Sequence, residues 1–231
     1  MKKTLICLLA CCFALQVSAQ KANFGANLKA PASLEDKKEF TEKLPAPKMK
    51  ESMPLMEALR RRETKRDFLP ERLSMQELSN LLWAANGINR PKEGKRTAPS
   101  ARNAQEIDVY VFLPEGVFFY NPEKHYLEML HKEDMRDKVS RQKFFKVAPV
   151  VLVFVANFDK MENFDEQARD FYSATDVGYV SQNVYLYCAG SQRLGTVACG
   201  SIERDFLRDV LHVGNGKALL AQPVGYTSNK E

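Results

Sequence analysis

The run VVLVFVANF, Val150 to Phe158, decides the architecture. Its first seven residues are continuously apolar and mostly β-branched, with no polar position alternating through them. A strand of that kind has no solvent face. It reads as a central strand covered on both sides, so the sheet that contains it carries helices on both faces. Pro149, directly before it, stops whatever precedes.

Working outward, EDMRDKVSRQKFFKVA (133–148) has an amphipathic, helical pattern. Upstream of it, IDVYVFL (107–113), the turn PEG and VFFYN (117–121) read as a β-hairpin, and HYLEML (125–130) adds a strand. In SMQEL, Ser74 and Glu77 form a capping box; Leu78, Leu81, Leu82 and Ala85 follow at helical spacing, and Gly87 closes the helix. An earlier helix has Ser52 as cap, Pro54 in its first turn and Leu55, Met56 and Leu59 as its apolar stripe.

Downstream, a helical pattern runs from about Asn163 to Arg193. It carries small residues (Ala174, Gly178, Ser181) together with Val177, Val180, Val184 and Tyr185. Apolar over much of its girth, it is expected to be buried, centrally or at a subunit interface. GTVACGS (195–201) reads as a strand, ERDFLRDVLHV (203–213) as a helix, and ALLAQPVGY (218–226) as a last strand after a Gly-Asn-Gly turn. The fold class is α+β: a mixed, mainly antiparallel sheet with helices on both faces, in one domain over 53–231.

The first nineteen residues carry two lysines, an apolar run from Leu5 to Val17 and Val-Ser-Ala before Gln20. That is the form of a secretory signal peptide cleaved after Ala19. A lipoprotein signal with Cys11 as the modified residue is the lesser alternative, because the apolar run before it is very short. The protein is expected to be exported, to the periplasm. Residues 20–52, rich in Lys, Pro, Ala and Glu, read as an extended lead-in rather than a packed element.

Losing Lys2 and Lys3 from 34 basic residues leaves 32 against 29 acidic ones, a net charge of +3. Nucleic-acid binding usually needs a stronger basic bias. Cys188 and Cys199 are the cysteines left after the signal; they either pair or stand as buried thiols, and they are no disulfide framework. There is no G-x-G-x-x-G after a strand. GNGKALL (214–220) fails as a phosphate-binding loop, since Leu211 stands five before Gly216 and Ala218 replaces the hydroxyl residue. His125, His131 and His212 lack metal-ligand spacing and read as surface or helix-end residues. No metal is expected.

Two segments remain. RRRETKRDF (60–68) concentrates Arg and Lys at a helix end, with Glu63 and Asp67 placed to pair with basic neighbours. Alone it is a solvated patch as readily as a phosphate grip. PSARNAQ (99–105) packs a rigid turn, a hydroxyl and two amides before a strand, which suits the mixed donor and acceptor edge of a flavin or pyrimidine ring, or an ordinary Asx turn. Both together, across a capped helix, favour one ligand.

With these segments the chain resembles the nitroreductase family of FMN enzymes. ALRRRETKRDF (58–68) resembles the family's R-R-S-x-R-x-F element, PSARNAQ its P-S-x-x-N-x-Q, and AGSQRLGTVACGS (189–201) with PVGYT (223–227) its C-terminal half. The resemblance spans about Leu55 to Tyr226. It implies a homodimer with FMN at the subunit interface. Arg61, Arg62 and Lys65, with Glu63 beside them, would grip the phosphate and ribityl chain. Pro99, Ser100, Ala101 and Asn103 would approach the isoalloxazine from the partner, and Cys199, Gly200 and Ser201 would present backbone near N5. The flavin would carry a two-step hydride transfer from NADH or NADPH to a nitroaromatic, quinone or similar acceptor, with no catalytic side chain needed. The chain departs from the pattern at Glu63, where the family has Ser, and in a short tail whose one basic residue is Lys230. Export adds a difficulty: free nicotinamide cofactors are not expected outside the cytoplasm, and the leader lacks a twin arginine. The competing readings are a non-catalytic flavin- or nucleotide-binding protein, and a basic surface module for an acidic partner.

Overall fold

All seven residues of Val150–Ala156 are buried, as the apolar run requires. The structure, a computed structural model, describes residues 41–50, 53–191 and 193–228. The strands are β1 (Thr41–Lys43), β2 (Ile88–Arg90), β3 (Lys95–Arg96), β4 (Ile107–Leu113), β5 (Gly116–Asn121), β6 (Tyr126–His131), β7 (Val150–Ala156), β8 (Leu194–Thr196) and β9 (Lys217–Tyr226). The helices are α1 (Leu55–Arg61), α2 (Met75–Asn86), α3 (Phe144–Val147), α4 (Glu166–Ser191) and α5 (Arg204–Leu211). The main sheet has the order β1-β6-β5-β4-β7-β9-β8, and every ladder among the described residues is antiparallel. The leader lies outside the described residues. Among the described residues no helix is long and apolar enough to cross a membrane.

β7 lies between β4 and β9, and its alternating side chains feed two separate cores. Leu152, Phe154 and Ala156 pack with Leu78, Leu81, Val180 and Val184 of α2 and α4. Val151, Val153 and Val155 pack with Phe145, Leu207 and Val210 of α3 and α5. Each fully buried side chain of this size stabilises the fold by roughly 1.5–3 kcal/mol. The hairpin of β4 and β5 and the added β6 stand where the sequence indicates them.

The α2 cap forms as its spacing predicts. Glu77 N–H donates to Ser74 Oγ (3.2 Å), and Ser74 N–H donates back to the Glu77 carboxylate (2.8 Å). Gly87 closes the helix by donating its N–H to Trp83 O (2.8 Å). A side chain there would come within 2.5 Å of the Trp83 ring.

Other segments differ from expectation. Residues 133–148 do not form one helix; they make a 3-10 turn at Arg136–Lys138 and the single-turn α3. Tertiary polar bonds override the periodicity. Arg136 is buried and donates to Ala148 O (2.7 Å), Ser140 Oγ donates to Ser201 O (2.8 Å), and Val139 O accepts from Glu203 N–H (2.9 Å). The strand expected at 195–201 ends at Thr196, leaving Cys199 in an isolated bridge with Ala221. Ser52 lies outside the described residues, and Pro54 flanks α1 rather than entering its first turn. The α1 stripe faces solvent in the single chain: Leu55, Met56 and Leu59 are exposed, Met56 at 75 %, and Ala58 is the buried residue.

The described part of the lead-in is extended but packed. β1 pairs with β6, Leu44 is buried, and Pro45 O accepts from Ser79 Oγ (2.5 Å). His125, expected at the surface, lies half-buried under this strap; its Nδ1 meets Tyr120 OH (2.9 Å) and its Nε2 meets Ser79 Oγ (2.8 Å). Cys188 and Cys199 are free and belong to the two opposite cores, and burial pushes both thiols up.

Candidate functional site

The chain leaves α1 at Arg62 with an extended backbone (φ −57°, ψ 117°) and runs alongside the end of the sheet. Lys65 N–H donates to Thr196 O (3.0 Å), Phe68 bridges Thr227, and Leu69 N–H donates to Tyr226 O (2.8 Å). This fastens the basic segment along β8 and β9. Its side chains open onto a cleft of about 480 Å³, walled by Arg60, Arg61, Arg62, Glu63 and Lys65 on one side and by Cys188, Ala189 and Leu194 to Thr196 on the other.

The cations are partly pre-paired. Arg60 and Arg61 both donate to Glu57 (2.5 Å each) and hold its carboxyl down to about 2. Lys65 pairs with Glu63 (3.0 Å), as expected for Glu63. Asp67 instead accepts from Ser228 Oγ (3.0 Å). Arg62 lies over the Tyr185 ring (5.4 Å), and Tyr185 OH bonds Thr64 Oγ1 (3.1 Å) and accepts from Ala198 N–H (3.0 Å). Gly195 matters here because a Cβ would come within 2.8 Å of Lys65 Cβ; glycine lets the lysine stem lie flat on β8. Several guanidinium and ammonium donors at a solvent-open rim form a donor set that fits a phosphate monoester.

PSARNAQ forms a tight turn. Asn103 N–H donates to Ser100 O (3.0 Å) and Ala104 N–H to Ala101 O (3.0 Å). Arg102, Asn103 and Gln105 have φ of 50°, 57° and 52°. Left-handed backbone at Arg and Gln costs on the order of 1 kcal/mol each and persists only where its surroundings impose it. They do so here. Ala101 N–H donates to Asp176 Oδ2 (2.8 Å), Gln105 N–H to Ser100 Oγ (2.9 Å), Gln105 Nε2 to Gly94 O (2.9 Å), and Arg96 Nε to Gln105 Oε1 (2.8 Å). Pro99, Arg102 and Asn103 are left exposed.

In one chain the two segments do not share a pocket. The basic segment lies beside Tyr185 and Cys188 of α4, and the turn hangs from Asp176; the twelve helical steps from Asp176 to Cys188 span roughly 18 Å. Of the third predicted group, Cys199 is engaged in both directions with Ala221, its N–H donating (2.8 Å) and its O accepting (2.9 Å). Gly200 and Ser201 are exposed beyond it. Burial raises the Cys199 thiol, opposed in part by a hydrogen bond with Gln142 and by the charge of Arg66, just past the cleft. Along the open side of α4, Phe171, Tyr172 and Tyr179 are exposed around Gly178, whose Cα faces open space.

Sequence reasoning missed Glu106, Asp176, Tyr185 as a hydroxyl hub, and Gly195. Asp176 left a trace, a lone acid among the apolar positions of the long helix. Glu106, with 0 % exposure, left none beyond its place before a buried strand.

The profile of the nitroreductase family matches residues 59–226. A provisionally named nitroreductase of Methanocaldococcus jannaschii is 32 % identical over 185 residues, covering 76 % of this chain and 92 % of its own. The crystal structure of a provisionally assigned nitroreductase from Ralstonia eutropha superposes with a TM-score of 0.77 at 38 % identity, over 82 % of this chain and 90 % of that one. The NADPH:FMN oxidoreductase of Vibrio harveyi, solved with NAD+, shares the fold: TM-score 0.58 at 15 % identity, over 76 % of this chain and 69 % of its own.

Proposed function

The chain belongs to the nitroreductase family, and on that premise we propose that it is an exported, homodimeric, FMN-dependent oxidoreductase. The observation that carries the reading is the placing of two ligand-suited segments about 18 Å apart along α4 in one chain. The exposed Leu55, Met56, Leu59, Phe171 and Tyr179 between and around them suit a second copy, which would bring its turn to the first copy's cleft.

In this reading Arg61, Arg62 and Lys65 hold the FMN phosphate. Lys65 is pre-set by Thr196 and Gly195, and Arg61 is oriented by Glu57. Pro99, Ser100, Ala101 and Asn103 of the partner's turn limit the isoalloxazine's position. Gly200 and Ser201 offer backbone at a solvent-facing edge. When bound, FMN supplies hydride chemistry, taking two electrons from NADH or NADPH and passing them to a nitroaromatic, quinone or similar acceptor. The side chains bind, orient and exclude water.

The test is a visible spectrum of the purified protein after FMN addition and desalting, repeated anaerobically with NADH and with NADPH. Retained flavin that bleaches supports the enzyme. One observation favours a second reading: Glu63 pairs with Lys65 at the phosphate grip, where the resemblance expects a serine, and this weakens the grip's charge. Retained flavin that no donor bleaches would support a non-catalytic flavin-binding protein; no retained flavin would refute both. Export to the periplasm is tested by the N-terminal mass of the secreted chain, which should begin at Gln20.

A further inference from the structure

We propose that Glu106 and Asp176 are a proton-sharing carboxyl pair that pins the 99–105 turn in place, and so act as positioning residues for the ligand that turn meets. The pinning stands on this chain alone; only the ligand rests on the flavin reading above.

Glu106 is fully buried, and no N–H or O–H of another described residue bonds its carboxyl oxygens; its own backbone N–H and the Asp176 carboxyl are the polar groups that meet it. A buried carboxylate with no such donor is a costly arrangement, which one proton relieves. Asp176, itself 3 % exposed on α4, already accepts the Ala101 N–H at 2.8 Å, a bond that strengthens when Asp176 is charged. The proton therefore resides on Glu106 and is directed at Asp176. One proton then satisfies both groups: Asp176 accepts from Ala101 on one side and from Glu106 on the other.

The remaining charged groups around the pair do not take over this role. Lys160 bonds Asp108 (2.6 Å), which also accepts from Asn157 Nδ2 (3.1 Å); it reaches the Gln105 carbonyl at 3.4 Å, and its charge opposes the rise of the Glu106 carboxyl without cancelling it. Arg96 serves Gln105, and Arg102 reaches Asn163 O and the Phe164 ring. What the pair holds is strained: three left-handed residues, none of them glycine, lie between the Ala101 amide and Glu106. Burial, and then the neighbouring Asp176 carboxylate, raise the Glu106 carboxyl from 4.5 to about 7.

The sign follows from linkage. If the turn opens, Glu106 meets water and returns toward its ordinary value, so opening releases a proton at neutral pH. The pair's hold is complete below pH 4.5, weakens as pH rises, and levels off above about 7. Amide hydrogen exchange of the full-length protein, corrected for intrinsic rates, reads this at residues 99–105 without any flavin present. In the wild type, protection of the Ala101 amide is expected to fall up to about 80-fold between pH 4.5 and 7. Glu106→Gln keeps a neutral donor and should hold protection constant across that range. Asp176→Asn offers Glu106 an amide donor and should also flatten the profile. A wild-type profile with no slope, or the same slope in Glu106→Gln, would overturn the proposal. FMN affinity measured over the same range separates the two claims. Loss of FMN binding with the exchange profile intact refutes the flavin reading alone, and a flat exchange profile with FMN retained refutes the pair alone.

Discussion

Replacing Glu77 with alanine probes how the cleft's floor is anchored. The carboxylate accepts from Ser74 N–H (2.8 Å), from Ser74 Oγ (2.6 Å) and from Tyr226 OH (2.7 Å), and Tyr187 OH donates to the Glu77 carbonyl (3.1 Å). It ties the start of α2 to the end of β9, beside which the Lys65 segment is bonded. Loss of the reciprocal cap costs about 1 kcal/mol. Tyr226, 5 % exposed, would keep its hydroxyl without that acceptor, at about 1–2 kcal/mol more. The sum, about 2–3 kcal/mol, corresponds to a fall in Tm of roughly 4–12 °C for a domain of this size. Trp83, the one tryptophan of the chain, lies on α2 and reports urea unfolding by fluorescence, with circular dichroism as the second probe. Glu77→Gln, which retains the cap, should lose less than half as much. Tyr226→Phe alone should cost about 1 kcal/mol and almost nothing in the Glu77→Ala background. Strict additivity of the two substitutions would refute the shared bond, and a Glu77→Ala loss below about 0.5 kcal/mol would refute the anchoring.

Lys65→Met should weaken FMN binding about 10- to 100-fold by fluorescence titration, the worth of one charge-assisted bond, with little change in stability. Raising salt from about 0.05 to about 0.5 M should weaken wild-type binding more than that of Lys65→Met. Gly195→Ala forces its methyl against Lys65 and Thr227 and should cost about 1–3 kcal/mol by urea titration, along with FMN affinity. Tyr179→Glu places a charge on the open face of α4 and should yield monomer by light scattering, with loss of FMN retention; dimers that survive intact would remove this face from the interface. Glu106 holds a raised carboxyl, so wild-type unfolding free energy should drop by up to about 3 kcal/mol between pH 4.5 and 7 relative to Glu106→Gln.

The parts of the fold legible in the sequence are those whose cause is local or overwhelming. Ser74 and Glu77 are three residues apart and cap the same helix end, so their spacing alone suffices. β7 shows because a strand buried on both faces tolerates no polar position. Residues 133–148 were misleading because Arg136 looks like the polar face of a helix, yet it is buried against Ala148 O, a partner that periodicity does not reveal. Leu55, Met56 and Leu59 read as an apolar stripe and are exposed in the single chain; a pattern states that a face is apolar, not what covers it. The basic cleft was visible as composition, and PSARNAQ as turn chemistry. The brace behind the turn was not, since Glu106 and Asp176 lie seventy residues apart and meet only after α4 packs on the sheet.

The three-residue β1 has a consequence for solution behaviour. It pairs Glu42 with Leu127 of β6 and makes itself the outermost strand of the described sheet. An uncovered β6 would offer a six-residue row of unpaired amides and carbonyls to any passing strand. β1 covers the Tyr126, Leu127 and Glu128 part of that row with a segment bearing Glu42 and Lys43, and the strap behind it is pinned by His125 and Ser79. Those few residues therefore narrow the stretch of β6 open to edge-to-edge pairing. A chain trimmed back to Leu44, which keeps that buried leucine in the first core, would be expected to aggregate more readily through its edge.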